Sequence, residues 1–148
     1  MPHRKSMSDF DISNSIVEVH YKRLSHKELR SFLRCNDNSL SRQKKAQALL
    51  DYLCGKYGLP PMKIRIVDEP QVKFKGSTAE AFYYFRSHFV KVYNLTAVRH
   101  NTVSIKVMAV TILHEFMHHY DRYYLGIENT PHTKGFFSRI KDLRSKMM

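Results

Sequence analysis

The chain has 148 residues, with 25 Lys or Arg against 13 Asp or Glu, and a formal net charge of +12. Its length fits one domain with one core, and 43% apolar with 26% charged residues predicts a folded soluble protein. No run of about 18 apolar residues occurs, which excludes a membrane-spanning helix. No apolar stretch follows the basic residues 1–6, which argues against a secretory signal. Cys35 and Cys54 are too few for a disulfide scaffold, so we expect a cytoplasmic protein.

The positive charge is spread along the chain rather than held in a tail. Lys and Arg outnumber Asp and Glu in residues 1–50, in residues 51–100 and in residues 101–148. Such a balance favours nonspecific contact with DNA or another polyanion. A basic surface that is simply solvated is an equally good interpretation.

The first third of the chain predicts a flexible start followed by helices. Residues 1–14 are polar and are predicted to be flexible, whereas residues 15–148 are predicted to form a single domain. Apolar residues at helical spacing predict one helix over about 26–35 and a second over about 40–57. Gly58 and the prolines after it end the second helix.

The middle of the chain predicts a small sheet. Alternating or aromatic-rich stretches at 63–67, 72–74, 79–85 and 89–93 are typical of short strands. Turn residues separate them, and the last two stretches form a hairpin-like pair. We therefore expect a mixed or antiparallel sheet between the helical parts.

Two further helices follow, which makes the fold class α+β. Residues 103–125 form the most apolar helical pattern of the chain, because Val107, Val110 and Leu113 add apolar positions outside its main stripe. Such a helix is predicted to be buried on several sides. A basic helix with an aromatic and aliphatic side is predicted over 133–146.

A metal-binding pattern lies within the apolar helix. His114 and His118 are four residues apart, so on a helix both imidazoles project from one face, one turn apart. Two imidazoles placed in this way can bind one zinc ion, and Glu115 can reach a water on that ion. This HExxH pattern is typical of metallopeptidases, in which the carboxylate takes a proton from water as the water attacks a carbonyl. Burial of these polar residues in an apolar helix favours a metal partner over a chance match.

A catalytic zinc site requires a third protein ligand. Glu128 follows shortly after the predicted end of the helix, and His132 stands directly before the last helix. We favour His132, because the last helix can fold back and present it to the metal. Glu128 remains the alternative third ligand.

Asp121 is predicted to lie on the same helical face as the two histidines. It could orient a ligand histidine by accepting a hydrogen bond from it. A salt bridge with Arg122 or another nearby basic residue explains an acidic residue at this position equally well. His119 lies off the ligand face and is predicted to be packed or hydrogen-bonded.

Residues 114–121, read together with 130–137, resemble the SprT-like metallopeptidases and the related minigluzincins. The shared features are an HExxH helix, a short connection, and a histidine ahead of a helix with aromatic and basic residues. The resemblance implies a small zincin-like domain with two N-terminal helices, a small sheet, a buried active-site helix and a C-terminal helix. It also implies one zinc ion held by His114, His118 and His132, with Glu115 as general base. A gluzincin would use a glutamate on a helix as third ligand. This sequence has no good candidate for it, and that departure favours three histidines.

Two functions follow as hypotheses. The first is a zinc-dependent endopeptidase that binds a protein or peptide substrate as an added strand along residues 79–85. The alternative is a DNA-associated binding module with a structural zinc site, which the net charge of +12 supports.

Overall fold

A computed structural model describes residues 7–148, which contain five helices and five strands. In chain order the elements are α1 (Asp9–Ser15), α2 (Lys27–Leu33), α3 (Ser39–Tyr57), β1 (Lys63–Pro70), β2 (Val72–Phe74), β3 (Ser77–Ala79), β4 (Ala81–Tyr84), β5 (Phe89–Leu95), α4 (Ile105–Tyr123) and α5 (Lys134–Lys146). The predicted α+β class is confirmed, and the boundaries of α2 to α5 lie close to those predicted from periodicity.

Local side-chain chemistry sets the ends of the long helices. Asn38 caps α3 by accepting a hydrogen bond from the backbone N–H of Ser41. At the other end Gly58 adopts φ 64°, a left-handed conformation that glycine enters without steric cost. Ser104 caps α4 in the same way as Asn38 caps α3.

The sheet is mixed. Strand order is β1-β5-β4, with β1 parallel to β5 and β4 antiparallel to it, whereas β2 and β3 form a separate two-stranded hairpin. The stretch 79–85, predicted as one strand, is divided between β3 and β4. The chain changes sheets at Glu80, since β3 pairs with β2 whereas β4 pairs with β5.

Helix α3 covers one edge of this sheet. Gln43 and Gln47 accept hydrogen bonds from the backbone N–H groups of Ile66 and Ile64, and Gln47 also donates to the carbonyl of Met62. These bonds satisfy backbone groups of β1 that would otherwise be open to pairing. The opposite edge, formed by β4, faces α4 and the site described below.

Helix α4 packs against α2, α3, α5 and β4 and contributes its main apolar stripe to the core. The helix is buried on several sides, as predicted, but Val107 and Val110 are 46% and 37% exposed, so these two apolar positions do not extend the buried surface. Those two side chains lie on a face of α4 that the other elements cover only in part. Within residues 7–148 no helix combines the length and the apolarity needed to span a membrane.

Part of the N-terminal segment that was predicted to be flexible forms a helix. Residues 9–15 form α1, whose N-cap Ser8 accepts a hydrogen bond from the Asp11 N–H, and Ser13 is fully buried. Helix α1 packs on α5, a contact between the two ends of the chain that composition does not reveal. A helix therefore occupies most of the described part of the segment 1–14, whose flexibility stays a prediction, and residues 1–6 lie outside the described residues.

Candidate metal centre

Three imidazoles converge at one side of α4. His114 and His118 project from this helix one turn apart, and the connection after α4 returns so that His132 stands two residues before α5. Nε2 of His132 lies 3.2 Å from Nε2 of His114 and 2.9 Å from Nε2 of His118. These three residues form a group whose ligand atoms all lie within 4.8 Å of one another.

The spacing of these nitrogens fits a metal ion. Zinc with tetrahedral Zn–N bonds of about 2.0–2.1 Å holds its ligand nitrogens about 3.3 Å apart. The two Nε2 separations at His132, 3.2 and 2.9 Å, are close to that value. Hydrogen bonding alone is a poorer explanation, because a single Nε2 atom carries one proton or one lone pair and here faces two rings.

Burial keeps two of the rings in the neutral form that metals bind. Burial first, and the neighbouring histidines second, lower the pKa of His114 to about 4 and that of His118 to about 3. Both imidazoles are therefore neutral at pH 7 with a lone pair available to a cation. His132 is the exposed member of the group.

Thr130 orients the His118 ring. Its Oγ1 lies 2.9 Å from Nδ1 of His118, on the side of the ring opposite the cluster. A proton on Nδ1 donated to this hydroxyl leaves Nε2 with the lone pair that points at the other two histidines. The sequence contained no signal for this role, since a threonine in a connecting loop is unremarkable.

Asp121 does not contact a ligand histidine, so its predicted orienting role is wrong. Its carboxylate instead accepts two hydrogen bonds from Arg139, at 3.1 and 2.6 Å, and both side chains are 0% exposed. The predicted alternative partner, Arg122, donates to the carbonyl of Glu128. A basic partner was therefore the better alternative for Asp121, but the partner comes from α5.

Glu115 stands beside the cluster and faces the cleft. Burial first, and the nearby Glu80 carboxylate second, raise the pKa of its carboxyl to about 7. No group among residues 7–148 hydrogen-bonds to the Glu115 carboxylate, which leaves it open to water. A carboxylate with a pKa near neutrality can both accept and return a proton at physiological pH.

The cluster opens on a cleft between α4 and β4. A cavity of about 560 Å³ is lined by the three histidines, Glu115 and residues of β4, and a second of about 310 Å³ continues past Glu115 towards Glu80. Glu128 lines the larger cavity but does not belong to the histidine group. The structure thus brings His132 to the pair on α4 and leaves Glu128 outside it.

Strand β4 presents unpaired backbone groups to this cleft. The N–H of Tyr93 donates to the carbonyl of Glu80. In an antiparallel pair every second residue bonds to the partner strand, so counting from Glu80 shows which residues of β4 bond to β5. Backbone groups of Ala81 and Tyr83 consequently point away from β5. Both residues line the larger cavity, so the open edge of the sheet runs along the metal centre.

Tyr83 ties this strand to α4. Its hydroxyl lies 2.6 Å from Nδ1 of His119, whose Nε2 is 2.7 Å from the carbonyl of Pro60. Because a carbonyl only accepts, Nε2 carries the proton and Nδ1 accepts from the Tyr83 hydroxyl. Burial lowers the pKa of His119 to about 4, so the ring is neutral and packed, as predicted.

Comparison of this chain with family models, with curated proteins and with solved structures finds no match.

Proposed function

We propose that this protein is a zinc-dependent metallopeptidase of the zincin-like class. Its site residues resemble those of the SprT-like metallopeptidases and the minigluzincins. The observation that carries the proposal is the combination of three converging imidazoles with an unbonded carboxylate, Glu115, at an open cleft. Three protein ligands with an accessible fourth position are typical of catalytic zinc, whereas structural zinc sites are closed by four protein ligands.

In the proposed reaction His114, His118 and His132 would hold one zinc ion. Zinc in this position would polarise the scissile carbonyl and lower the pKa of an attacking water. Glu115 would take a proton from that water as the water oxygen bonds to the carbonyl carbon. The same carboxyl then gives the proton to the amine nitrogen as the peptide C–N bond breaks.

The β4 edge supplies the substrate-binding surface in this proposal. An extended peptide can pair with the outward backbone groups of Ala81 and Tyr83, which places its backbone along the histidine cluster. Both cavities share Ala81, His114, Glu115 and His132, so a bound strand would extend to both sides of the reacting carbonyl. The Tyr83–His119 hydrogen bond holds the strand at its distance from α4.

The DNA-associated module with a structural zinc remains the alternative proposal. The net charge of +12 supports affinity for a polyanion, and such binding weakens steeply as salt is raised. The open cleft beside Glu115 supports the peptidase instead. Salt-sensitive DNA binding in a protein that cleaves no peptide in a broad denatured-protein digest would favour the module.

Metal analysis and a single substitution test the peptidase proposal. Wild-type protein should contain one zinc per chain and should cleave some members of a complex peptide mixture, as read by mass spectrometry. Glu115→Gln should keep the zinc and lose cleavage by about 10²- to 10⁴-fold, because the amide cannot take the proton. Glu69→Gln is the matched control, since Glu69 is exposed on β1 at the far side of the sheet. Cleavage by Glu115→Gln at the wild-type rate would refute the assigned mechanism.

A further inference from the structure

The N-terminal residues 9–16, here called the N-terminal strap, hold both sides of the loop that carries His132. The carboxylate of Asp9 accepts a hydrogen bond of 2.9 Å from the backbone N–H of Asn129. The hydroxyl of Ser13 lies 2.8 Å from that of Thr133, which is buried and caps α5. These two contacts bracket His132, and each joins residues 120 positions apart in the sequence.

A buried arginine fastens the strap to both long helices of the site. Arg139 on α5 is 0% exposed and donates to the backbone carbonyls of Ser13 and Ile16, each at 2.5 Å. The same guanidinium donates to both carboxylate oxygens of Asp121, which lies on α4 one turn after His118. The helix that bears two histidines and the loop that bears the third are therefore connected through the strap.

The strap and α5 approach so closely that only glycine fits between them. A Cβ added to Gly135 would lie 2.8 Å from the carbonyl oxygen of Asn14 and closer still to that of Ser13. Both obstacles are backbone atoms, so a side chain at this position requires the strap to move. Gly135 follows His132 by three residues, in the first turn of α5.

We propose that the N-terminal strap positions His132 and thereby sets the affinity of the metal centre, an inference that rests on the proposed zinc site. His132 is the exposed ligand and the one that no helix carries, so its place depends on what holds its loop. An ordered loop presents the imidazole without the entropy loss of arranging a mobile segment on binding. Asp9, Ser13 and Arg139 are thus positioning residues that act through the loop.

Two substitutions with matched controls test the strap. Gly135→Ala forces the strap away from α5, and its control is Gly55→Ala in α3, where an added Cβ meets nothing within 4 Å. Ser13→Ala removes the bond to Thr133 and the bond that the same hydroxyl accepts from Arg139. Its control is Ser15→Ala, because Ser15 is exposed and bonds only to its own helix. Zinc affinity is measured by competition with a chelator, on full-length protein whose folding is checked by circular dichroism.

Each strap variant should bind zinc about 10- to 100-fold more weakly than wild type. Metal affinity typically falls by this factor when a residue that orients a metal ligand is replaced. The controls should match wild type. Cobalt provides a spectroscopic readout of coordination, since tetrahedral cobalt absorbs visible light far more strongly than octahedral cobalt. Strap variants should shift the visible spectrum of the cobalt-loaded protein towards that of His132→Ala, which a general loss of stability would not do.

The outcomes separate this inference from the proposed function. Wild-type protein that binds no zinc would overturn the metal centre itself, and the strap proposal with it. Wild-type binding with unchanged zinc affinity and cobalt spectrum in both strap variants would overturn the strap proposal alone. Should Gly135→Ala fail to fold, Ser13→Ala decides, because it removes one hydroxyl and introduces no clash.

Discussion

Replacement of Asp121 by Asn tests whether this carboxylate forms a structural ion pair with Arg139 or orients a histidine ligand of the metal. Asp121 and Arg139 are both 0% exposed and form two hydrogen bonds, so the substitution leaves a buried guanidinium without its counterion. Breaking a buried pair from one side costs about 3–5 kcal/mol. We expect a loss near the lower end, about 3 kcal/mol, because Arg139 keeps the carbonyls of Ser13 and Ile16 as acceptors.

Urea unfolding of the protein in the presence of a chelator measures this loss without a contribution from bound metal. Glu69→Gln provides the comparison, because its ion pair with Lys91 is exposed and contributes about 0–1 kcal/mol. A carboxylate that oriented a ligand histidine would instead leave stability near that of wild type while zinc affinity fell about 10- to 100-fold. That pattern in Asp121→Asn would refute the assignment of its partner to Arg139.

Two further predictions concern stability. The metal-free protein should lose stability as pH falls from about 6.5 to about 4. The folded-state pKa values of His114, His118 and His119 are about 4, 3 and 4. In the unfolded chain the pKa of histidine is near 6.5. The unfolded chain takes up these protons first. Glu115 and Asp121, whose pKa values are raised to about 7 and about 6, act in the opposite direction and offset two of the three histidines. Urea midpoints that stay constant or rise over this range would contradict the burial of the rings. Gln47→Leu should lower the free energy of unfolding by about 1–3 kcal/mol, because the backbone of β1 loses its partner; an unchanged urea midpoint would show that water replaces the glutamine.

The parts of the fold that could be predicted from sequence are those specified by local chemistry. Helices α3 and α4 carry N-caps and apolar stripes within their own residues, and the hairpin of β4 and β5 follows from neighbouring alternating stretches. The HExxH spacing likewise fixes the relation of His114 to His118 without knowledge of the rest of the chain. Exposure of Val107 and Val110 was missed, because an apolar residue does not itself indicate whether a neighbour covers it.

Contacts between distant segments account for most of what was missed. The Ser13–Thr133 and Arg139–Ser13 bonds join residues 120 and 126 positions apart, and no pattern in either segment identifies the other. Residues 9–14 are polar and short, so their composition suggested flexibility. Buried hydrogen bonds to α5 hold the helix of this segment, since an isolated helix of seven residues is marginal in water.

Asp121 shows why periodicity alone assigned the wrong role. Seven residues after His114 the helix returns to nearly the same face, so the angular argument for a shared site was sound. Along the axis, however, seven residues are a separation of about 10 Å, and the side chain meets whichever element crosses the helix there. That element is α5, which presents Arg139, whereas the loop before α5 brings Thr130 to the His118 ring. A helical repeat therefore predicts which side chains share a face, but the crossing elements decide which of them share a site.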